Sequence, residues 1–532
     1  MSINLGTFDL LNKNLQDSER INLVYFGRKF NSKEVLDIVL RNARFLRERC
    51  GVAKGDSVGI MLPNIPQCIF SFYSVNAVGG IANLIDPRVG HGMLNSILKE
   101  TNTKVLFIFD GIYKKFKKHL PKGLKIIVCS AYTYIKPISF FSYFQALYSH
   151  ETYFRDTLFL GPLEKNELSD GDGEDCAVYI HSAGTTGKQK TVMLSSRAIN
   201  SISEGLKETI LGGRDINSVD YSMLMVLPIS HGFGAGVCAH TFVANNQRVI
   251  LMPKFVPKNA NKLIKKYKIT HLAGIPSMYR KMAAEDNFVE SVQSLEHVFC
   301  GGDRLDQKFK EEFDKKVSLS GSKASIEEGY GLTEVVTVCS VNLDNTPPKK
   351  GLSSQGKAIH GAQFKIVVDG VDVGFDKEGE IYVKTPAIMS GYLNDEEETK
   401  KAMVDFEGEK WIATGDMGKL DAEGNIYFMD RIKRSIKIGG NNVFPAQIEQ
   451  VVCSLPFVKN CCAVRRKNEE GKPYIELLVI EKYPEANAED IITKKVAEDI
   501  IVYAVPRKIT KVDKIRLTNV GKVDYASYEK EE

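Results

Sequence analysis

The sequence lacks the features that would point to a membrane or to a nucleic-acid partner. No apolar run approaches the roughly 18 residues that a membrane-spanning helix needs. The net charge is only +5 in 532 residues, which is too small to indicate nucleic-acid binding. The N-terminal stretch carries acidic residues early and has no basic start before an apolar segment, so a secretory signal is not predicted.

Cysteine pairs at metal-ligand spacing are also missing. The ten cysteines are scattered without a CxxC pair, and Cys461 and Cys462 lie in an apolar stretch that is typical of a core. This pattern predicts a reduced, cytoplasmic protein without structural zinc. The length of 532 residues suits roughly two or three domains with a large core.

The chain alternates helical and strand patterns from its start to beyond residue 320. Asn31 and Glu34 are spaced as a capping pair for a helix through Arg49, with Gly51 just past its end. Near-continuous apolar strands separated by helices predict a parallel sheet covered on both faces. Strands are expected at 57–62, 81–85, 105–109, 124–129, 223–227, 249–252, 271–274 and 297–300, with helices at 65–78, 93–101, 197–210, 259–266 and 307–317. Residues 131–165 are irregular and rich in aromatics, which favours a surface excursion.

The pattern changes twice in the last third of the chain. From Gly361, short strands between acidic, glycine-bearing turns predict a small antiparallel unit. Residues 430–440 form a basic, polar break, and a new α+β pattern follows it. We therefore predict an α/β domain of layered, mostly parallel sheets plus a small β unit over residues 1–432, and a mobile α+β domain over residues 433–532.

A glycine-rich loop lies between the apolar runs at 177–180 and 192–194. Its glycines let backbone N–H groups point into one concavity, and such a nest binds anions. Threonine hydroxyls add donors and two lysines add positive charge, so the loop predicts a polyphosphate site. The loop residues are Ser182, Gly184, Thr185, Thr186, Gly187, Lys188 and Lys190.

Two other phosphate-loop templates fail. Residues 351–357, GLSSQGK, match the spacing G-x4-G-K, but Ala358 replaces the hydroxyl that should hold magnesium, and no strand precedes the match. Residues 232–236, GFGAG, lack the final spacing of a dinucleotide fingerprint. Neither a Walker nor a Rossmann mechanism is supported.

Four further stretches carry candidate site residues. In residues 328–334, EGYGLTE, a tyrosine flanked by glycines can lie flat against an aromatic ring, and Glu334 offers a hard oxygen ligand for magnesium. In residues 411–416, WIATGD, Asp416 can accept both hydroxyls of a ribose. The basic break and a turn near residue 522 supply cations, which are Arg431, Lys433, Lys437 and Lys522.

Each candidate taken singly has a structural alternative. Glu334 reads equally as a helix-start acid, and Asp416 as a turn residue. Lys522 alone is typical of a solvated lysine, and His231 of a loop or core histidine. Only their combination carries a functional argument.

In this order and spacing, the stretches resemble the superfamily of adenylate-forming enzymes, which includes acyl-CoA synthetases, the adenylation domains of peptide synthetases and beetle luciferases. The resemblance covers nearly the whole chain and is nearest to the fatty-acid–CoA ligase branch. The matching segments are 182–191 (SAGTTGKQKT), 330–334 (YGLTE), 414–416 (TGD), 430–449 (R-x-K-x-x-I-K-x-x-G-x-x-V-x-P-x-x-I-E within it) and 521–524 (GKVD). The loop departs from the family pattern at Ala183, Gln189 and Thr191, which predicts stiffness at Thr191 and looseness at Gln189.

The resemblance implies a two-step reaction that uses ATP, Mg²⁺ and coenzyme A. A carboxylate attacks the α-phosphate of ATP to give acyl-AMP and pyrophosphate, and a thiol then attacks the acyl carbon and releases AMP. By the same resemblance, Lys522 reaches the reacting carboxylate, Glu334 binds Mg²⁺ beside Thr333, and His231 lies next to the acyl pocket. The loop residues through Lys190 hold the β- and γ-phosphates. The implied nucleoside contacts are Gly301, Gly302, Asp303, Tyr330, Gly331, Asp416 and Arg431.

The second step implies a rotation of the C-terminal domain about Lys433, which brings Lys437, Gly439 and Gly440 to the thiol tunnel. The uncharged run 232–236 after His231 favours an apolar acid over an amino acid, with fatty acids leading and aryl or other short acids following. One alternative is an acyl-AMP ligase that loads a separate acyl carrier protein. Another is a non-catalytic nucleotide-binding relative, against which the intact lysines and acids argue.

Overall fold

The computed structural model describes residues 2–16, 18–135, 151–169, 171–183, 189–212, 214–303, 305–349, 352–434, 436–438, 441–469, 471–500, 502–517 and 523–529. Within these ranges, three large sheets with covering helices are followed by a smaller α+β unit. The predicted fold class is therefore confirmed. The boundary near Lys433 stays a prediction.

One sheet has eight strands, and its central strands are parallel. Alternate residues of Val105–Phe109 enter two separate hydrophobic clusters, so both faces of the sheet are covered. This double burial explains why the strands are apolar almost without interruption. In spatial order they are Gly391–Tyr392, Gln189–Ser195, Cys176–Ala183, Ile81–Leu84, Ser57–Met61, Val105–Phe109, Lys125–Cys129 and Thr152–Tyr153.

The helix Ser32–Glu48 begins where the capping pair predicts. Asn31 Oδ1 accepts a hydrogen bond from the backbone N–H of Glu34 at 2.8 Å, and Gly51 beyond the helix has φ +67°. The Glu34 carboxylate pairs with Arg28 instead of returning to the backbone of Asn31. The predicted start is confirmed, and an ion pair replaces the reciprocal half of the capping box.

The expected surface excursion at 131–165 is wrong for part of the described segment; residues 136–150 lie outside the described residues. Thr152–Tyr153 adds a strand to the sheet, and Phe154 is buried. The Tyr134 ring packs edge-on against Phe30 and Phe70. Tyr134 and Phe154 therefore pack in the core, whereas Tyr132 and Phe159 are exposed.

A second sheet has nine strands, of which the sequence predicted four. The last two strands at one end of this sheet, Ile21–Tyr25 and Arg28–Asn31, were not predicted, because both come from a hairpin whose residues alternate less clearly. In spatial order the strands are Lys357–Ala358, Ser340–Val341, Ile326–Tyr330, His297–Cys300, His271–Gly274, Ser222–Met225, Arg248–Leu251, Ile21–Tyr25 and Arg28–Asn31.

The failed fingerprint at 232–236 folds as the start of the π-helix Phe233–His240. A Cβ at Gly232 would lie 1.6 Å from the carbonyl oxygen of Val336, and one at Gly234 would lie 2.0 Å from that of Pro228. These glycines permit a close backbone approach. Val336 has φ +67°, a strained conformation for a β-branched residue, and it lies beside the candidate site.

The antiparallel unit predicted from Gly361 is present as a six-stranded sheet. Its strands are Val371–Asp372, Gln363–Val368, Gly379–Lys384, Glu409–Leu420, Met403–Phe406 and Ile426–Arg431. Ser353 and Ser354 of the rejected phosphate-loop match are buried, and Lys357 pairs with Asp344 at 2.8 Å. That match is therefore structural in its described part; Gly351 lies outside the described residues.

The C-terminal unit combines helices and strands, as its α+β pattern predicts. A hairpin of Ile436–Ile438 and Asn441–Val443 precedes a three-stranded sheet of Val458–Lys467, Pro473–Glu481 and Lys508–Lys511. Its helices are Pro445–Cys453, Ala488–Asp499 and Tyr525–Glu529. Cys461 and Cys462 are buried in it, as predicted.

The remaining helices cover the first two sheets or the antiparallel unit. They are Thr7–Leu15, Pro66–Ala77, His91–Glu100, Asp110–Phe116, Ser196–Leu211, Thr241–Ala244, Pro257–Tyr267, Pro276–Ala283, Gln307–Leu319 and Glu396–Ala402. None of the helices in the described ranges combines the length and apolarity needed to cross a membrane.

Candidate functional site

Asp416 is placed by a bulge in the strand Glu409–Leu420. Residues 414–416 lie opposite a single residue of the neighbouring strand Gly379–Lys384, and Gly415 has φ +70°. The next strand, Ile426–Arg431, pairs in a register that sets Asp416 opposite Arg431. The expected glycine turn is thus a bulge within a continuous strand, and bulges commonly re-aim a side chain into a site.

The Asp416 carboxylate is 4% exposed and only partly paired. Tyr330 Oη donates a hydrogen bond to Oδ2 at 2.7 Å, and Arg431 Nε lies 3.5 Å from Oδ1. Burial raises the pKa of Asp416 to about 6, although Arg431 and Tyr330 oppose the rise. Oδ1 accepts no hydrogen bond from any described residue. A buried acceptor of this kind fits a hydroxyl donor from a ligand, such as that of a ribose.

Tyr330 is anchored by its hydroxyl and by aromatic neighbours. Its ring stacks near Phe428 with centroids 6.0 Å apart and lies 6.2 Å from Phe364. The residue is buried. These contacts fix the ring beside Asp416, and the implied stacking on adenine stays a prediction.

The other nucleoside candidates follow the ends of two adjacent parallel strands. Gly301, Gly302 and Asp303 come directly after His297–Cys300, and Gly331 follows Ile326–Tyr330. A Cβ at Gly331 would lie 1.5 Å from the carbonyl oxygen of Thr337. Glycine at this position is therefore required by a close backbone approach, and the two loops lie side by side at the carboxyl edge of the sheet.

Lys190 and Glu334 are joined through side chains that the sequence argument did not single out. Lys190 forms an ion pair with Glu398, and its Nζ lies 4.4 Å from the centroid of the Tyr392 ring. Tyr392 Oη donates a hydrogen bond to Glu334 Oε1 at 2.6 Å. Lys190 and, behind it, Lys401 lower the pKa of Glu398 to about 2. The candidate phosphate lysine and magnesium ligand therefore belong to one connected cluster.

Glu334 suits a magnesium ion that arrives with phosphates. It lies with Thr333 in the short helix Thr333–Val335, and both are partly buried. Among the described residues, no group of three or more His, Cys, Asp or Glu side chains is arranged to hold a metal. Magnesium in phosphate sites takes one or two carboxylates and completes its shell with phosphate oxygens and water. A single carboxylate beside a phosphate lysine fits that donor set.

His231 lies at the edge of the first sheet. Its Nε2 is 3.7 Å from Oδ2 of Asp86, which follows the strand Ile81–Leu84. Arg88 Nη2 reaches the same carboxylate at 2.6 Å. Burial would raise the pKa of Asp86, but the contacts with His231 and Arg88 outweigh it and hold that pKa below its ordinary value. His231 is thus a partly exposed histidine beside the ion pair of Asp86 and Arg88.

The described base of the phosphate loop explains one departure from the family pattern. Thr191 is buried and donates a hydrogen bond to Glu100 Oε2 at 3.0 Å. The same hydroxyl lies 3.0 Å from His181 Nδ1, and burial lowers the pKa of His181 to about 4. Thr191 therefore ties the two strands below the loop into a polar network. Ser182 lies opposite Lys190 in the strand register.

Several predicted site residues are not among the residues that the structure describes. These site residues are Gly184, Thr185, Thr186, Gly187, Gly439, Gly440 and Lys522. Lys433 falls in the short helix Ile432–Arg434, and Lys437 is exposed in Ile436–Ile438. The roles implied for these residues stay predictions.

Tyr392, Glu398 and Asp86 are the described residues that sequence reasoning missed. Asp86 had a usable signal, because it follows an apolar strand whose carboxyl end lies at the site edge. Tyr392 and Glu398 had no such signal. Tyr392 lies in a strand of only two residues, Gly391–Tyr392, and Glu398 follows that strand.

Two family models match successive parts of the chain. A model described as AMP-binding enzyme matches residues 12–393, and one described as AMP-binding enzyme C-terminal domain matches residues 447–522. The chain is 29% identical over 466 residues to the probable 4-coumarate–CoA ligase 3 of Dictyostelium discoideum, covering 82% of this chain and 78% of that one. It is 27% identical over 519 residues to the long-chain-fatty-acid–CoA ligase of Bacillus subtilis (strain 168), covering 94% and 89%.

Solved structures extend the likeness to the whole fold. The ATP-bound MatB of Rhodopseudomonas palustris superimposes with a TM-score of 0.84 at 20% identity, over 99% of this chain and 98% of that chain. The o-succinylbenzoate CoA synthetase MenE of Bacillus subtilis superimposes with a TM-score of 0.78 at 21% identity, over 99% and 98%. At these identities the likeness bears on the fold.

Proposed function

The chain belongs to the AMP-binding enzyme family, and on that premise we propose that it converts an apolar carboxylic acid, foremost a fatty acid, to its coenzyme A thioester. The acid and ATP first form acyl-AMP with loss of pyrophosphate. The thiol of coenzyme A then attacks the acyl carbon and releases AMP. ATP, Mg²⁺ and coenzyme A are the reactants and cofactor of this acid–thiol ligase.

Oδ1 of Asp416, which accepts no hydrogen bond from the described residues, carries the nucleotide part of the proposal. A buried carboxylate costs free energy unless its oxygens are hydrogen-bonded, and a ribose hydroxyl supplies the donor that Oδ1 lacks. Tyr330 holds the other oxygen, which aims Oδ1 in one direction. Arg431 stands across the strand pair at the open side, where it is largely exposed.

The phosphate-binding part of the proposal depends on electrostatic charge. A carboxylate that approaches a polyphosphate meets repulsion of roughly 4 kcal/mol per unit charge at about 4 Å and an effective dielectric near 20. Lys190 faces the loop base, and Lys522 is proposed to act at the α-phosphate. Bound magnesium would supply further positive charge at Glu334. Fixed cations that need no reorganisation account for most catalysis of this kind.

The acid is proposed to be apolar because the helix beside His231 offers it no charged partner. Ala235, Val237, Cys238 and Ala239 of Phe233–His240 are buried, and the helix carries no acidic side chain. Fatty acids lead. Aryl acids are the second candidates, because one relative is named a probable 4-coumarate–CoA ligase and another a long-chain-fatty-acid–CoA ligase.

The acceptor and the domain motion are also proposals. Coenzyme A is the first candidate for the acceptor thiol, and a separate acyl carrier protein is the alternative acceptor. We place the moving domain at residues 433–532, the fixed domain at 1–432 and the hinge at Lys433, with Lys437, Gly439 and Gly440 meeting the thiol. All ten cysteines lie in the described residues and none of them forms a disulfide there, which supports a reducing, cytoplasmic setting.

A two-stage assay tests the proposal. Acid-dependent exchange of pyrophosphate into ATP is measured across fatty, aryl and short acids, and AMP release is then measured with coenzyme A or with a phosphopantetheinylated carrier protein. We expect exchange and coenzyme A turnover with a fatty acid. Pyrophosphate exchange together with AMP release only in the presence of the carrier protein would support the alternative acceptor. No pyrophosphate exchange with any acid would overturn the enzyme assignment.

Glu398 is expected to compete with phosphate for Lys190. Glu398→Gln should tighten ATP binding up to roughly fivefold, because partly exposed ion pairs are worth at most about 1 kcal/mol. Isothermal titration with ATP measures the change. Glu397→Gln on the same helix is the matched control, since Glu397 shares the Lys401 contact but does not reach Lys190. Weaker ATP binding by Glu398→Gln would instead mean that Glu398 orients Lys190.

A further inference from the structure

Tyr392 lies between the two parts of the candidate phosphate site. Its strand, Gly391–Tyr392, pairs with Gln189–Ser195, with Tyr392 opposite Val192. Met389, two residues before this strand, donates a backbone hydrogen bond to the carbonyl oxygen of Glu334 at 2.8 Å. The Tyr392 backbone is therefore tied both to the strand that carries Lys190 and to the segment that carries Glu334.

The side chain of Tyr392 repeats this connection. The residue is 6% exposed. The centroid of its ring lies 4.4 Å from Lys190 Nζ, and its hydroxyl donates a hydrogen bond to Glu334 Oε1 at 2.6 Å. Thr399 Oγ1 accepts from the Tyr392 backbone N–H at 2.9 Å, which fixes the helix Glu396–Ala402 to the same point.

We propose that Tyr392 is a positioning residue that holds Lys190 and Glu334 in one arrangement, so that the lysine and the magnesium-binding carboxylate meet the same polyphosphate. The inference rests on the proposed function. The ring attracts the ammonium group through its π face, and the hydroxyl orients the carboxylate through one oxygen. Residues that orient a metal ligand typically change metal affinity by about 10- to 100-fold when they are removed.

Two substitutions separate the two contacts. Tyr392→Phe removes only the hydroxyl and should raise the Kd for ATP in the presence of Mg²⁺ by roughly tenfold, while the Kd for ATP in EDTA stays unchanged. Tyr392→Leu also removes the aromatic face and should weaken ATP binding under both conditions. Isothermal titration gives these constants, and the Mg²⁺ concentration that half-saturates pyrophosphate exchange should rise in parallel.

A matched control removes the same kind of bond elsewhere. Tyr427 Oη donates to Asp421 Oδ2 at 3.0 Å, away from the phosphate cluster, so Tyr427→Phe should leave both titrations unchanged. Thermal unfolding of each variant checks folding. If Tyr392→Phe proves unstable, Glu334→Gln provides a second arm: adding Tyr392→Leu to it should not change the Mg²⁺ dependence further.

The outcomes are distinct. Equal Mg²⁺ dependence in the wild type and Tyr392→Phe, or an equal loss in Tyr427→Phe, would overturn the role of Tyr392 while leaving the enzyme assignment intact. A wild-type protein that binds ATP but exchanges pyrophosphate with no acid would overturn the assignment instead.

Discussion

Replacing Lys522 by alanine is expected to abolish acid-dependent pyrophosphate exchange and to spare thioester formation from supplied acyl-AMP. The lysine is proposed to offset the repulsion between the attacking carboxylate and the α-phosphate. One such unit-charge interaction is worth roughly 4 kcal/mol, which corresponds to about a thousandfold in rate. Acyl-AMP already holds the new bond, so the second step no longer meets this repulsion. Both half-reactions are followed by release of radiolabelled products.

The structure indicates that the variant will fold. Tyr525, shortly after Lys522, lies under Arg434 with the guanidinium 3.6 Å from the ring centroid, and its hydroxyl donates to Glu449 at 3.2 Å. These contacts anchor the C-terminal segment without Lys522. Lys494→Ala, on the exposed face of Ala488–Asp499, is the matched control and should leave both half-reactions unchanged. Equal loss of both half-reactions in Lys522→Ala would count against domain alternation.

Asp416→Asn is expected to lower kcat/KM for ATP by about a hundredfold. Tyr330 and a ribose hydroxyl both donate hydrogen bonds, and aspartate can accept both because it has two acceptor oxygens. Asparagine has one acceptor oxygen and one donor amide, so one of the two bonds is lost. A hydrogen bond to a charged group is worth roughly 1.5–3 kcal/mol, which sets the hundredfold scale.

A substrate analogue isolates this contact. With 2′,3′-dideoxy-ATP, the ratio between the wild type and Asp416→Asn should fall to nearly one, because no ribose hydroxyl remains to bind. A ratio that stays near a hundredfold with the analogue would place the effect elsewhere, for example in the Tyr330 contact.

The same carboxylate predicts a pH dependence. Because burial raises the pKa of Asp416 to about 6, the group is increasingly protonated below that pH and loses an acceptor. The affinity of the free enzyme for ATP should therefore rise as pH increases through about 6 and then level off, and Asp416→Asn should lack this step. Titrations between pH 5 and 8, roughly the range that brackets this pKa, test the expectation. A step of equal size in the variant would assign it to another group.

Much of the fold followed from local patterns. Strands such as Val105–Phe109 and Lys125–Cys129 were predicted because burial on both faces demands continuous apolar residues. The π-helix Phe233–His240 was missed, because its glycines serve contacts with Val336 and Pro228 that no local pattern reveals. Tyr134 and Phe154, on either side of residues 136–150, were misread as surface residues, because they pack on distant parts of the core.

The sequence by itself determined the reaction class, because the glycine-rich loop, the acids and the lysines occur in an order that identifies one family. It also determined the layered α/β architecture through the periodicity of its apolar residues. Only the tertiary structure decided how the site groups are paired. Lys190 meets Glu398 across 208 positions of sequence, and Tyr392 joins Lys190 to Glu334. Asp416 keeps one oxygen, beside Arg431, that accepts no hydrogen bond from the described residues. The reason is physical: such pairings depend on strand register and on a bulge, which bring together residues whose local sequences carry no mutual signal.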